Sequence, residues 1–325
     1  MSEFELSCGL PPGPQFADLV VLAEELGYTR AWIYDSAALW EDPFVHLALA
    51  AQRTDRIGLG AAVLIPAQRE VMAMASAIAT VSRLSDERFR PCFGTGFTAR
   101  LTVGQAPMPM KDLGDYLRAL RQLLAGETAL VDGKPVRMLH MEGLAQPRPM
   151  NVPLWLSAFG PRGAKLASEI ADGIIGRPHP DLPTATMVSG TVLDAGEDPN
   201  GDRVLDAIGP WRVVDWHNAH AHGGAEAVDP LPGGKEWRTE LESLDPDQHG
   251  ALLTFEGHVT HLTPRDRKLM QHADVTSMVG DAHSVGQGLE QLAANGFAEI
   301  IYTPSGPDVA RELTAFASAH AGVQR

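Results

Sequence analysis

Arg56-Ile57-Gly58-Leu59-Gly60-Ala61-Ala62-Val63-Leu64-Ile65-Pro66 is a run of apolar and small residues closed by a proline, and its reading decides the fold. The pattern predicts a strand over Ile57–Leu64, closed by Pro66. A helix is expected on either flank: Pro43–Arg53, with Asp42 as its candidate N-cap, and Val71–Leu84. Working outward toward the N-terminus, Ala31–Tyr34 reads as a strand, Phe16–Leu26 as a helix that stops at Gly27, and Phe4–Gly9 as a strand. Toward the C-terminus, the strand Phe89–Phe93 runs into Gly94-Thr95-Gly96, and Leu113–Ala125 is helical. There follow a strand at Leu154–Ala158, a helix at Gly163–Ala171 and a strand at Gly173–Ile175. Thr184–Ala195 is expected to be helical and Val204–Val214 to contain a strand. Val285–Ala294 (helix), Glu299–Tyr302 (strand) and Val309–Ala319 (helix) close the series. Strands alternating with helices imply parallel βαβ units. Eight strands favour a closed α/β barrel, the (β/α)8 TIM barrel, over an open doubly wound sheet.

Two stretches interrupt the rhythm. Thr128–Asn151 contains Asp132-Gly133, a hairpin signal. Asp215–Asp274, rich in Gly, Pro and His, is the largest insertion, so the expectation is one barrel domain over residues 1–325 with residues 215–274 inserted late in it. The 325 residues carry 26 basic and 41 acidic side chains, a net charge of −15. That balance argues against nucleic acid or an anionic membrane as partner. No apolar run approaches the roughly 20 residues of a membrane span, and MSEFELSCGLPPG lacks the pattern of a signal peptide, so a soluble cytoplasmic protein is expected. Two cysteines, Cys8 and Cys92, give no disulfide framework. Arginine outnumbers lysine 21 to 5, a bias that suggests a GC-rich genome.

Four segments carry a resemblance. They are Gly27-Tyr28-Thr29-Arg30-Ala31-Trp32-Ile33-Tyr34-Asp35, the Arg56–Pro66 run, Phe93-Gly94-Thr95-Gly96-Phe97, and Gly160-Pro161-Arg162-Gly163 followed by Ala171-Asp172-Gly173-Ile174-Ile175. In order and spacing they resemble the luciferase-like flavin- and deazaflavin-dependent oxidoreductases. The likeness is strongest to the branch related to coenzyme F-420-dependent methylene-tetrahydromethanopterin reductase. The resemblance implies an enzyme that moves a hydride between the deazaflavin coenzyme F-420 and a small organic substrate. The alternative is an FMN-dependent monooxygenase, which would take reduced flavin from a partner reductase and use oxygen. It further implies a homodimer pairing through Val71–Val81, and a cis peptide between Ala62 and Val63. Implied cofactor-binding residues are Asp35, Ser36 and Trp40 after the second strand, and Ala62 and Val63 on the third. Gly94, Thr95, Gly96 and Phe97 follow the fourth, Ala158, Phe159, Gly160, Pro161, Arg162 and Gly163 lead from the fifth into its helix, and Gly176 ends the next. The physical chemistry agrees. Barrel sites lie at the C-terminal ends of strands, glycines admit a flat ring close to the backbone, and free N–H groups at a helix start suit a phosphate.

Two departures matter. Ser36 stands where many such deazaflavin enzymes have a histidine. The glutamate that the family's sugar-phosphate dehydrogenases place near Phe97 is missing, which counts against a sugar-phosphate substrate.

Trp216-His217-Asn218-Ala219-His220-Ala221-His222 follows directly on Val213-Val214, so His217 is expected at the barrel mouth as the acid–base candidate. Glu256-Gly257-His258 supplies two further candidates, Glu256 and His258. No metal is expected, since neither paired cysteines nor an HExxH-type framework accompanies the histidines. Gly94-Thr95-Gly96 fails as a dinucleotide fingerprint because its third glycine is absent.

Overall fold

The computed structural model describes residues 4–244, 253–269 and 277–323. Its centre is a closed eight-stranded parallel barrel. In chain order the strands and first helices are β1 (Glu5–Leu10), α1 (Phe16–Glu25), β2 (Arg30–Ile33), α2 (Pro43–Ala51), β3 (Gly58–Leu64), α3 (Val71–Leu84), β4 (Phe89–Phe93), α4 (Phe97–Leu101) and α5 (Met110–Ala125). A hairpin, β5 (Ala129–Val131) and β6 (Lys134–Val136), turns at Asp132-Gly133 as expected. Then come β7 (Trp155–Ala158), α6 (Pro161–Ile170), β8 (Gly173–Gly176), β9 (Thr184–Val188), β10 (Gly190–Val192), α7 (Asp202–Arg212), α8 (Val214–Val228) and α9 (Gly234–Leu244). The last part holds the helix Pro264–Leu269, β11 (Met278–Gly280), the helix Ala282–Ala294, β12 (Glu299–Tyr302) and the helix Val309–Val323. Around the barrel the order is β1, β2, β3, β4, β7, β8, β9, β12 and back to β1.

Helix starts follow their local chemistry. Asp42 caps α2 by accepting the Phe44 N–H at 2.8 Å, with Pro43 as the first helical residue. Glu70 caps α3 by accepting from the amides of Met72 and Ala73. Both devices satisfy N–H groups that a helix leaves unpaired at its start.

Two expectations are corrected. Residues 184–192 form strands β9 and β10, not a helix, and residues 202–212 form helix α7, not a strand. In α7 the buried residues Val204, Ala207 and Ile208 keep helical spacing, and Gly209-Pro210, ordinarily a helix breaker, obscures it. The barrel takes β9 as its strand because Thr184 and Ala185 pair with Ile174 and Ile175 of β8. The total of eight strands is therefore right while one member is exchanged.

The barrel interior is packed. Trp32, Ala62, Cys92, Trp155, Ile175, Ala185 and Ile301, one from each of seven strands, make a single buried cluster. Trp32 and Trp155 lie 5.9 Å apart, ring centre to ring centre. Glu299 accepts from Trp32 Nε1 at 2.7 Å and pairs with Arg90 at 2.9 Å, and the Arg90 guanidinium lies over the Trp155 ring. Each indole occupies space left by a glycine. A Cβ at Gly60 would stand 2.3 Å from Trp32 Cε3, and one at Gly173 2.2 Å from Trp155 Cε2.

The chain forms two compact units: Met1–Met187 with Leu292–Ile301, and Val188–Gln291 with Tyr302–Arg325. Residues 215–274 fall within the second. The core of that unit is Val213, Trp216, Val228, Trp237, Leu241 and Leu269. Its strands β10 and β11 pair in parallel. Buried Glu312 accepts from Thr191 Oγ1 at 2.7 Å and pairs with Arg203 at 2.8 Å.

Candidate functional site

At the C-terminal ends of β3, β4 and β7 the first unit encloses a cavity of about 510 Å³. Its lining runs from Val63 through Gly94–Phe97 and Met110 to Ser157–Gly163. Val63, Gly94, Thr95, Gly96, Phe97, Ala158, Phe159, Gly160, Pro161, Arg162 and Gly163 are thus brought together from three sequence segments. The Ala62–Val63 peptide is cis. The Val63 side chain and the Gly94 backbone are in close contact, so that a Cβ at Gly94 would lie 2.7 Å from Val63 Cγ2. Gly96 is left-handed at φ +81°, and a Cβ there would lie 2.5 Å from Ile65 Cγ2. The space where each glycine lacks a Cβ is thus taken by the side chains of Val63 and Ile65. In the same lining, α6 begins at Pro161 beside Gly160 and Gly163, with its leading amides unpaired by the helix itself. Phe159 is 62% exposed at the rim.

Five expected residues stand outside the lining. Ala62 belongs to the barrel-interior cluster. Gly176 serves strand packing, since a Cβ there would meet Ala158 O at 2.2 Å. Trp40 packs on Tyr34 with ring centres 5.3 Å apart. Asp35 and Ser36 are buried just beyond β2. The Asp35 Oδ2 accepts from Ile65 N–H at 3.2 Å and from Arg69 Nη1 at 2.6 Å. Burial pushes the Asp35 carboxyl above the usual carboxylate range, with the Arg69 guanidinium working against that rise. Met110 and Ser157 line the cavity without having been expected. Met110 arrives there because Met108 N–H donates to Thr95 O at 2.8 Å, a turn that carries no sequence motif.

The second unit gathers the histidines. His217 lies on α8, so its expected place after a barrel strand is corrected: Val213-Val214 joins two helices. His217 is wholly buried. Its Nδ1 lies 3.0 Å from Nδ1 of His258, and its Nε2 lies 3.9 Å from Asp266 Oδ2. Two Nδ1 atoms at that distance require one to carry the proton and the other a lone pair. Burial, then the Arg265 cation, pushes His217 down to about 3, and burial, then His217, does the same to His258. Asp266 accepts from Trp237 Nε1 at 2.7 Å and from Arg265 Nε at 3.0 Å. Glu256 is exposed and lies 3.7 Å from Arg265.

A packed parallel barrel with a glycine-walled cavity at its C-terminal rim defines a barrel enzyme whose site is built from strand-end loops. The chain belongs to the luciferase-like monooxygenase family, whose model matches residues 5–189, and it is an enzyme. It is 30% identical over 243 residues to the 5,10-methylenetetrahydromethanopterin reductase of Methanolobus tindarius, covering 72% of this chain and 73% of that one. It is 26% identical over 302 residues to the F-420-dependent glucose-6-phosphate dehydrogenase of Beutenbergia cavernae, covering 78% and 87%. An F-420-dependent secondary alcohol dehydrogenase, solved with an F-420–acetone adduct, superposes with a TM-score of 0.69 over 99% of this chain and 100% of its own, at 15% identity. Among the described residues no helix is long and apolar enough to cross a membrane.

Proposed function

We propose that the enzyme is a coenzyme F-420-dependent oxidoreductase acting on a small organic substrate. The observation that carries the reading is the cavity itself, lined by Gly94–Gly96 and by the start of α6. These residues fit a three-ring cofactor with a phosphate: glycines admit the flat rings, and the first amides of α6 with Arg162 suit the phosphate. The named relatives support the deazaflavin. When bound, that group would supply the hydride. The chain's part is to bind and orient it and to keep the site dry. The sugar phosphate of the Beutenbergia relative is not carried over, because among the described residues Phe97 and its neighbours place no carboxylate in the lining. The second reading, an FMN-dependent monooxygenase with a partner reductase, draws on the family model's own description. Fluorescence titration with both cofactors tests the choice. Deazaflavin binding is expected, and micromolar FMN binding without any deazaflavin binding would reverse it.

The proton-handling role of His217, His258 and Glu256 belongs to the same proposal. Within the second unit His258 is the less buried of the two histidines, at 8% exposure, and buried His217 holds its tautomer. His258→Ala is expected to lower turnover more than it lowers cofactor affinity. Unchanged turnover in both His258→Ala and His217→Ala would leave the step to Glu256 or water. A homodimer through α3 is proposed as well, supported by Val45 and Leu49 of α2, exposed at 59% and 48%, beside α3's outward Ala73 and Thr80. Light scattering that returns a monomer mass at micromolar concentration would remove it.

A further inference from the structure

Arg69 is not among the residues lining the cavity, and it belongs to none of the sequence segments singled out above. Two carboxylates from different elements nevertheless converge on it. Its Nη1 donates to Asp35 Oδ2 at 2.6 Å, just past the end of β2, and its Nη2 donates to Asp42 Oδ2 at 2.9 Å, the cap of α2. The same Asp35 oxygen accepts the Ile65 N–H, at the residue that follows β3. Ile65 backs Gly96, and Val63, two residues earlier, backs Gly94. The guanidinium is thus one carboxylate and one backbone amide removed from the glycine wall.

The physical consequence is direct. Asp35 is 4% exposed, and a buried carboxylate is tolerated only with a partner cation and hydrogen bonds. Without Arg69 the carboxyl would either take up a proton or turn toward water. Either change weakens or removes the anionic acceptor that holds Ile65 N–H, and with it the register of Val63 and Ile65 against the two glycines.

We propose that Arg69 is a positioning residue, which through Asp35 and Ile65 fixes the wall formed by Val63, Gly94 and Gly96 and so sets the affinity of the cavity for its three-ring cofactor. The inference rests on the reading of this cavity as the cofactor site.

The test compares full-length wild type with Arg69→Met, Asp35→Asn and the double variant. Dissociation constants for oxidised F-420 and for FMN are read by fluorescence titration across pH, with a melting curve for each protein. Arg69→Met is expected to weaken binding at least tenfold and to move the loss of affinity on acidification to higher pH than in the wild type, since Asp35 then titrates without its cation. Because Arg69 acts through Asp35, the double variant should bind within about twofold of Asp35→Asn alone. That comparison does not need the single Arg69→Met protein to fold. Wild-type affinity in a folded Arg69→Met, or additive losses in the double variant, would overturn the inference by itself. Wild-type protein that binds neither cofactor would overturn the cofactor reading, and the inference with it.

Discussion

Gly96 carries two constraints at once, a left-handed φ of +81° and a neighbour, Ile65 Cγ2, within 2.5 Å of any added Cβ. Gly96→Ala is therefore expected to cost about 1–3 kcal/mol of stability and to weaken cofactor binding by roughly tenfold, read by urea melts and by titration. A glycine pair at a strand end is visible in a sequence because glycine is the residue that permits such an approach. Gly94 and Gly96 were legible for that reason. Arg69, Met110 and Ser157 were not, since an arginine in the loop between a strand and a helix and a serine inside a strand are ordinary in any barrel. His217 illustrates the opposite error. Its chemistry stood out, but burial is a property of the packing around it, and Trp237 and Phe255 enclose its ring.

Among the elements, the barrel strands were legible wherever apolar runs were bounded by turns. β9 and α7 were exchanged because Thr184–Val192 is short and mixed, while Gly209-Pro210 sits inside a helix. At β9 tertiary pairing decided against local propensity. The most demanding contact between strands is the one joining β12 to β2 and β4, where Glu299 is 2% exposed in its side chain and holds both Arg90 and Trp32. Glu299→Ala would leave the Arg90 charge half-buried and the Trp32 N–H without its acceptor. The expected loss is about 3–5 kcal/mol, checked by chemical denaturation. A loss below about 1 kcal/mol would mean that water replaces the carboxylate.

For the whole molecule, acidity is the telling variable. His217 and His258 are both held near 3, whereas an unfolded histidine titrates near 6.5. Between those values the unfolded chain binds more protons, so stability rises with pH through this window and is lost as pH falls from about 6.5 toward 3. The groups that face the pair include Asp266, Arg265 and His220, and His258→Gln should flatten the acid limb of a melting series. Net charge acts at longer range. A chain of −15 repels an anionic ligand at long range, and Arg100, Arg162 and Arg177, each following a strand end, would offset that locally. Added salt is therefore expected to weaken F-420 binding, because exposed charges are screened within about 10 Å at 0.1 M. Binding that strengthens with salt would show the long-range repulsion to dominate.

The two tryptophan seats inside the barrel also restrict the order in which this sequence can change over time. Alanine at Gly60 meets the six-membered ring of Trp32, and alanine at Gly173 meets that of Trp155. Each glycine can acquire a side chain only after its indole has been replaced by something smaller. Replacing an indole first opens a void that the glycine alone cannot fill. Neither single step is neutral, so each pair is expected to be inherited as a unit, and lineages that have lost one member should have lost both.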